Sequence, residues 1–241
     1  MASTAGCGPL AAPLDQGTEP PIRILLGGEA FQGRPPASLD EADLTVVSGD
    51  PATLGAAGVD VLVADTPADG FTTVSGTVPY SKEIGGHEVA VFGATSPERD
   101  KKALLRAVRT TADTTDFVMV YLLWPRTGTA CPDDARRSLT AALVEAGADA
   151  VVGAGGPVQP GGFLAEGLGF VHYGLGFLNG GSGGLLDLKV GGTTVLKATW
   201  NPSTARGPLT GQAKEHARRQ WRDGLTSCPG LDEGPAALRT S

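Results

Sequence analysis

Short apolar runs that stop at glycine set the rhythm of this chain. Ile22, Ile24, Leu25 and Leu26 lead into Gly27-Gly28-Glu29, and Leu44, Val46 and Val47 lead into Ser48-Gly49-Asp50. Residues 59–64 repeat the pattern and empty into Asp65-Thr66-Pro67-Ala68-Asp69-Gly70. Residues 117–122 and 150–152 are again continuous apolar stretches, and residues 170–173 form a shorter one before a glycine-rich loop. Runs of this length bounded by turn formers predict buried strands. Strand ends followed by backbone-permissive loops are where an α/β scaffold presents a site.

Other periods fill the gaps. Residues 51–58 suit one short helix, with Asp50 as N-cap and Pro51 in its first turn. Residues 72–78 and 86–93 are β-rich, and residues 82–87 read as a hairpin turn between them. Ser96-Pro97-Glu98 opens a helix whose buried stripe is Leu104, Leu105 and Val108. A second amphipathic helix over residues 133–146 buries Ala135, Leu139, Ala142 and Leu143, and Gly147 ends it. Residues 185–190 and 193–199 pair through Gly191-Gly192, and residues 212–223 have helical composition. An α/β first part and an antiparallel later part predict a layered α/β sandwich with antiparallel strands towards the C-terminus. The chain divides into a tether (1–20), one domain (21–205) and a C-terminal helix and tail (206–241).

Charge and cysteines narrow the partners. The 241 residues carry a formal charge of −7 and no run of Lys or Arg. A nucleic-acid footprint or an anionic-membrane patch is therefore not expected. No apolar run approaches the length of a membrane span. Thr4-Ala5-Gly6-Cys7 resembles the small-residue sequence that precedes lipid attachment in bacterial lipoproteins, and a Pro-, Gly- and Ala-rich stretch follows like a tether. The charged and apolar segments of a signal peptide are missing upstream, so either the start is truncated or Cys7 is incidental. The first alternative implies an extracytoplasmic protein whose membrane contact is a lipid on Cys7; the second leaves it in the cytoplasm. In an exported chain Cys131 and Cys228 pair, and in a cytosolic one they stay thiols.

The order of motifs resembles the bacterial CapA family, proteins associated with poly-γ-glutamate capsule synthesis. Residues 143–153 (LVEAGADAVVG) are similar to that family's helix-to-strand segment, and Val171-His172-Tyr173-Gly174-Leu175-Gly176 to its Tyr-Ser-Leu-Gly-Asn-Phe strand end. Residues 86–93 (GHEVAVFG) look like its Asn-Gly-Val-Lys-Ile-Ala-Phe-Leu-Gly strand. The resemblance covers residues 21–202 and implies a sandwich of the calcineurin-like metallophosphoesterase type. It departs where the chemistry belongs. The family's first strand ends Gly-Asp and this one ends Gly27-Gly28-Glu29, with glycine at the usual aspartate position. Asn-Leu-Glu is matched by Ser48-Gly49-Asp50, Ala-Asn-Asn-His by Ala64-Asp65-Thr66-Pro67, and His-Trp-Gly by Leu123-Trp124-Pro125. Gly-His-His-Pro-His is matched by Gly153-Ala154-Gly155-Gly156-Pro157. Dinuclear phosphoesterase chemistry needs a dense set of His, Asp and Asn ligands. No metal and no cofactor is therefore expected.

The remaining candidates are few. Glu29, Asp50, Asp65 and Asp69 follow neighbouring strands and form the pool for any acid–base catalysis; the plainer reading makes Asp50 a helix cap and Asp65 and Asp69 turn formers. Tyr121, Trp124 and Arg126 crowd one turn, an arrangement that takes a carboxylate or a sugar face when it is open and that lids the core when it is not. With Gly155 and His172 they are the ligand-binding candidates, although a lone His is more often a core residue. The glycines of residues 153–162 lack the Lys-Ser/Thr of a phosphate loop and read as the remnant of the ligand loop. Two functions follow: a CapA-like accessory or ligand-binding protein for an envelope polymer, small molecule or protein partner, or a metal-independent enzyme reusing the cleft.

Overall fold

The computed structural model describes residues 20–29, 41–51, 58–125, 129–164, 169–177, 182–204, 207–228 and 230–231. Cys7 and its tether, Arg126, the Glu29 side chain, most of the helix expected over residues 51–58 and the last ten residues lie outside this set.

Among the described residues, thirteen strands form one sheet that folds over itself, and three helices accompany it. In one layer β1 (Ile22–Glu29), β2 (Leu44–Ser48), β3 (Val61–Val63) and β4 (Thr72–Val74) pair in parallel. In the other, β6 (His87–Ala94), β7 (Phe117–Leu123), β8 (Ala150–Ala154) and β10 (Phe170–Phe177) also pair in parallel, with β5 (Tyr80–Ile84) and β9 (Val158–Phe163) as antiparallel neighbours. β10 belongs to both layers, because its end pairs with β1 and β11 (Ser182–Gly191). β12 (Thr194–Thr204) and β13 (Gly207–Pro208) extend the first layer antiparallel beyond β11.

The layers meet face to face. One apolar cluster holds Ile24, Leu26 and Val46 of the first together with Val91, Met119, Tyr121 and Val152 of the second. Alternate residues of the second layer, among them Phe92, Val120 and Leu122, point outward. They are covered by α1 (Pro97–Ala112) and α2 (Asp134–Glu145) through Leu104, Val108, Leu139 and Leu143. Both faces of these strands are buried, which is why the sequence shows continuous rather than alternating apolar runs. α3 (Gly211–Ser227) packs on β9 and β12.

Three expectations need correction. The hairpin partner of β6 is β5, joined through Gly85-Gly86, while residues 72–74 cross to pair in parallel with β3. Residues 158–163 form a strand rather than a loop, because Gly161 and Gly162 bring its backbone against β10; a Cβ on Gly161 would lie 2.5 Å from the His172 ring. In α2 Ala135 is exposed, and Arg136, one step along the stripe, takes the buried position.

Candidate functional site

The parallel strands deliver their C-terminal ends to one rim. Register sets Glu29 beside Ser48 and Phe177, and Ser48 beside Val63, so Asp50 and Asp65 each leave the sheet two residues beyond a paired position. Tyr121 ties this rim to the opposite layer. Its hydroxyl donates to Gly27 O at 2.6 Å and stands 2.9 Å from Ser48 Oγ, and both side chains are fully buried. With its own proton committed to the carbonyl, the phenol accepts the serine proton.

The rim itself is polar and open. Asp50, Asp65 and Asp69 are all exposed. Thr95 Oγ1, beyond the end of β6, donates to Asp65. Asp69 lies in a turn with Gly70 (φ 80°), closed by Phe71 N donating to Ala68 O at 3.2 Å. Among the described residues no three His, Cys, Asp or Glu side chains gather closely enough to share a metal ion.

The expected aromatic wall sits elsewhere. Tyr121 is enclosed between the layers, and Trp124, only 5% exposed, lies on the helix side of its layer. Trp124 packs over the end of β8: a Cβ on Gly153 would meet its Nε1 at 2.2 Å, and one on Gly155 (φ +86°) would meet its carbonyl oxygen at 2.5 Å. Gly155 is thus a glycine for two steric reasons. The Arg136 guanidinium stands 5.3 Å from the Trp124 ring centroid, donates to Pro125 O at 2.6 Å and to Gln159 Oε1 at 3.2 Å, and is 3% exposed. Gln159 Nε2 continues to Thr129 O at 3.0 Å. Burial pulls the Arg136 pKa down from its ordinary value, opposed by Asp133. Sequence reasoning passed over Arg136 and Gln159. The signal for the first was its spacing from Leu139 and Leu143, which puts position 136 on the buried stripe.

A disulfide joins Cys131, in the loop after Trp124, to Cys228 at the end of α3, with Cα atoms 5.5 Å apart. This is the pairing expected of an exported chain. α3 in turn carries Trp221, whose Nε1 donates to His172 Nε2 at 3.2 Å. The Trp221 ring stacks on both His172 and Trp200, at centroid separations of 6.0 and 6.2 Å. His172 is completely buried, and burial pushes its pKa down to about 3. It is a neutral core residue bonded to an indole. Beside this stack, between α3, β9 and β12, lies a cavity of about 500 Å³ lined in part by Trp200, Trp221, Gln159 and His216.

No curated protein matches the chain. A family model described as bacterial capsule synthesis protein matches residues 50–179. The match runs from Asp50 through β3 to β8 and on to the end of β10, and so takes in Asp65, Asp69, Trp124 and Gly155 at the strand ends. It spans more than half of the sequence, and the chain belongs to the bacterial capsule synthesis protein family PGA_cap.

Proposed function

We propose that this protein serves capsule synthesis as a non-catalytic accessory on the extracytoplasmic side, built on a calcineurin-like sandwich that no longer holds a dinuclear metal centre. Two sheets packed face to face, helices outside one of them and parallel strand ends at one rim support that architecture. The observation that carries the reading is the donor set. Where the resemblance calls for histidines the chain has Pro67, Leu123, Ala154, Gly155 and Pro157, none of which ligates a metal through its side chain. Gly28 does not add to this argument. A Cβ there would lie 2.3 Å from Gly176 O, so its glycine is a packing requirement.

The acids left at the rim favour binding over catalysis. A catalytic carboxylate needs burial beside an opposed polar partner, and Asp50, Asp65 and Asp69 are all exposed. Three exposed acids on a chain of charge −7 also repel a polyglutamate strand at the rim itself. A neutral envelope polymer or a protein partner fits better. Elemental analysis of the purified protein tests the reading. Substoichiometric Mn, Fe and Zn are expected, and a tightly bound ion in every chain overturns it.

A further inference from the structure

The cavity under α3 is unlike ordinary packing. The helix is fastened to the body at three places: the Cys131–Cys228 disulfide, Trp221 on His172, and Arg218 Nη2 donating to Asn201 Oδ1 at 3.2 Å. Interfaces held this firmly usually close to interior density, leaving few voids larger than a water molecule. Here about 500 Å³ stays open between the helix and the strands. That is the size of a small-molecule site.

The lining decides what enters. Among the described residues that line the cavity none is an acid, a lysine or an arginine, although the chain as a whole is strongly acidic. An anionic ligand such as a glutamate oligomer meets no lysine or arginine on that described lining, the Arg136 guanidinium behind Gln159 being engaged by Gln159 and Pro125 O, and burying a charge unpaired is costly. The walls combine two indoles, Trp200 and Trp221, with prolines, and the hydrogen-bonding side chains are Gln159, Gln220 and His216. The Gln159 amide is already taken up by Arg136 and Thr129 O, but a bare acyl chain would offer Gln220 and His216 no partner. Indole surface flanked by an amide and an imidazole suits a ring with apolar C–H faces and hydroxyl edges.

We infer that the cavity between α3, β9 and β12 is a binding site for a neutral pyranose unit, as presented by an uncharged glycan. The site needs no metal, so it stands or falls apart from the donor-set argument. Ala213, exposed on α3 and lining the cavity, is the position from which it can be blocked.

Tryptophan fluorescence reads binding directly, because two of the three tryptophans line the site. The intact protein is titrated with N-acetylglucosamine trisaccharide and with maltotriose up to about 10 mM, and with a γ-linked glutamate oligomer over the same range. A saturable change is expected with at least one saccharide and none with the glutamate oligomer. Ala213→Phe should weaken saccharide binding by about tenfold or more while leaving the thermal unfolding transition in place. Should that variant fail to fold, Gln220→Ala, an exposed change at the same cavity, replaces it and should weaken binding severalfold. The proposal is overturned if neither saccharide binds, if only the glutamate oligomer binds, or if the folded variant binds as the parent does.

Discussion

Trp221 Nε1 donates to His172 Nε2 across 3.2 Å, a bond from the C-terminal helix to strand β10 of the core. The imidazole accepts the indole proton at one nitrogen, and burial keeps it neutral down to about pH 3. In the unfolded chain the same imidazole protonates near its ordinary 6.5. The unfolded state therefore binds more protons as pH falls from about 6.5 to about 3, and His172 makes the fold progressively less stable across that window. Replacing it with Gln should flatten the acid limb of a plot of denaturation free energy against pH. An unchanged slope would mean that His172 titrates normally.

Asp149 works in the opposite direction. Burial raises its carboxyl from 3.8 to about 6, although Val118 N donates to Oδ2 at 2.8 Å and partly offsets the shift. The folded chain keeps this proton at a pH where the unfolded chain has lost it. Stability contributed by protonated Asp149 is therefore lost as pH rises from about 4 to about 6. Asp149→Asn keeps an acceptor for Val118 and should be more stable than the parent at neutral pH, with the difference vanishing near pH 4. Chemical denaturation at several pH values checks both the sign and the window.

Tyr121→Phe removes one oxygen from the interface between the layers. It strands Gly27 O and Ser48 Oγ in a site from which water is excluded. Leaving buried groups unpaired costs about 1–3 kcal/mol, a loss that shows as a lower denaturant midpoint at unchanged m-value. The double variant Tyr121→Phe/Ser48→Ala should recover part of it, since the serine no longer needs a partner. A stability equal to the parent's in the single variant would contradict the buried geometry.

The disulfide closes a loop of 97 residues, worth about 4–5 kcal/mol in the chain-entropy model. Reduction, or Cys131→Ser with Cys228→Ser, should lower the melting temperature. It should also speed hydrogen exchange first in α3 and in residues 129–133, leaving the central strands β7 and β8 protected. Uniform acceleration across the chain would mean that α3 and the sheet unfold as one unit. Non-reducing peptide mapping that found both thiols free would remove the bond itself.

What the chain determined by itself is the local order. Continuous apolar runs bounded by glycine located β1, β2, β3, β7 and β8. The Ser96-Pro97-Glu98 start placed α1, and the apolar stripe over residues 133–146 placed α2, where Asp133 proves to be the N-cap, accepting from Arg136 N at 2.9 Å. These features depend on neighbours in sequence, so they are written there. Pairing across the fold is not. Whether residues 72–74 join β6 or β3 depends on which edge the chain reaches first, and their composition suits both. Nor does the sequence distinguish an open aromatic from an enclosed one: Tyr121 lies in β7 and Trp124 just beyond it, yet Trp124 is covered by helices and Tyr121 by the facing sheet. The cavity under α3 was illegible for the same reason. It exists between segments that tertiary packing alone brings together, and the residues that line it lie as far apart in sequence as Ala130 and Gly224.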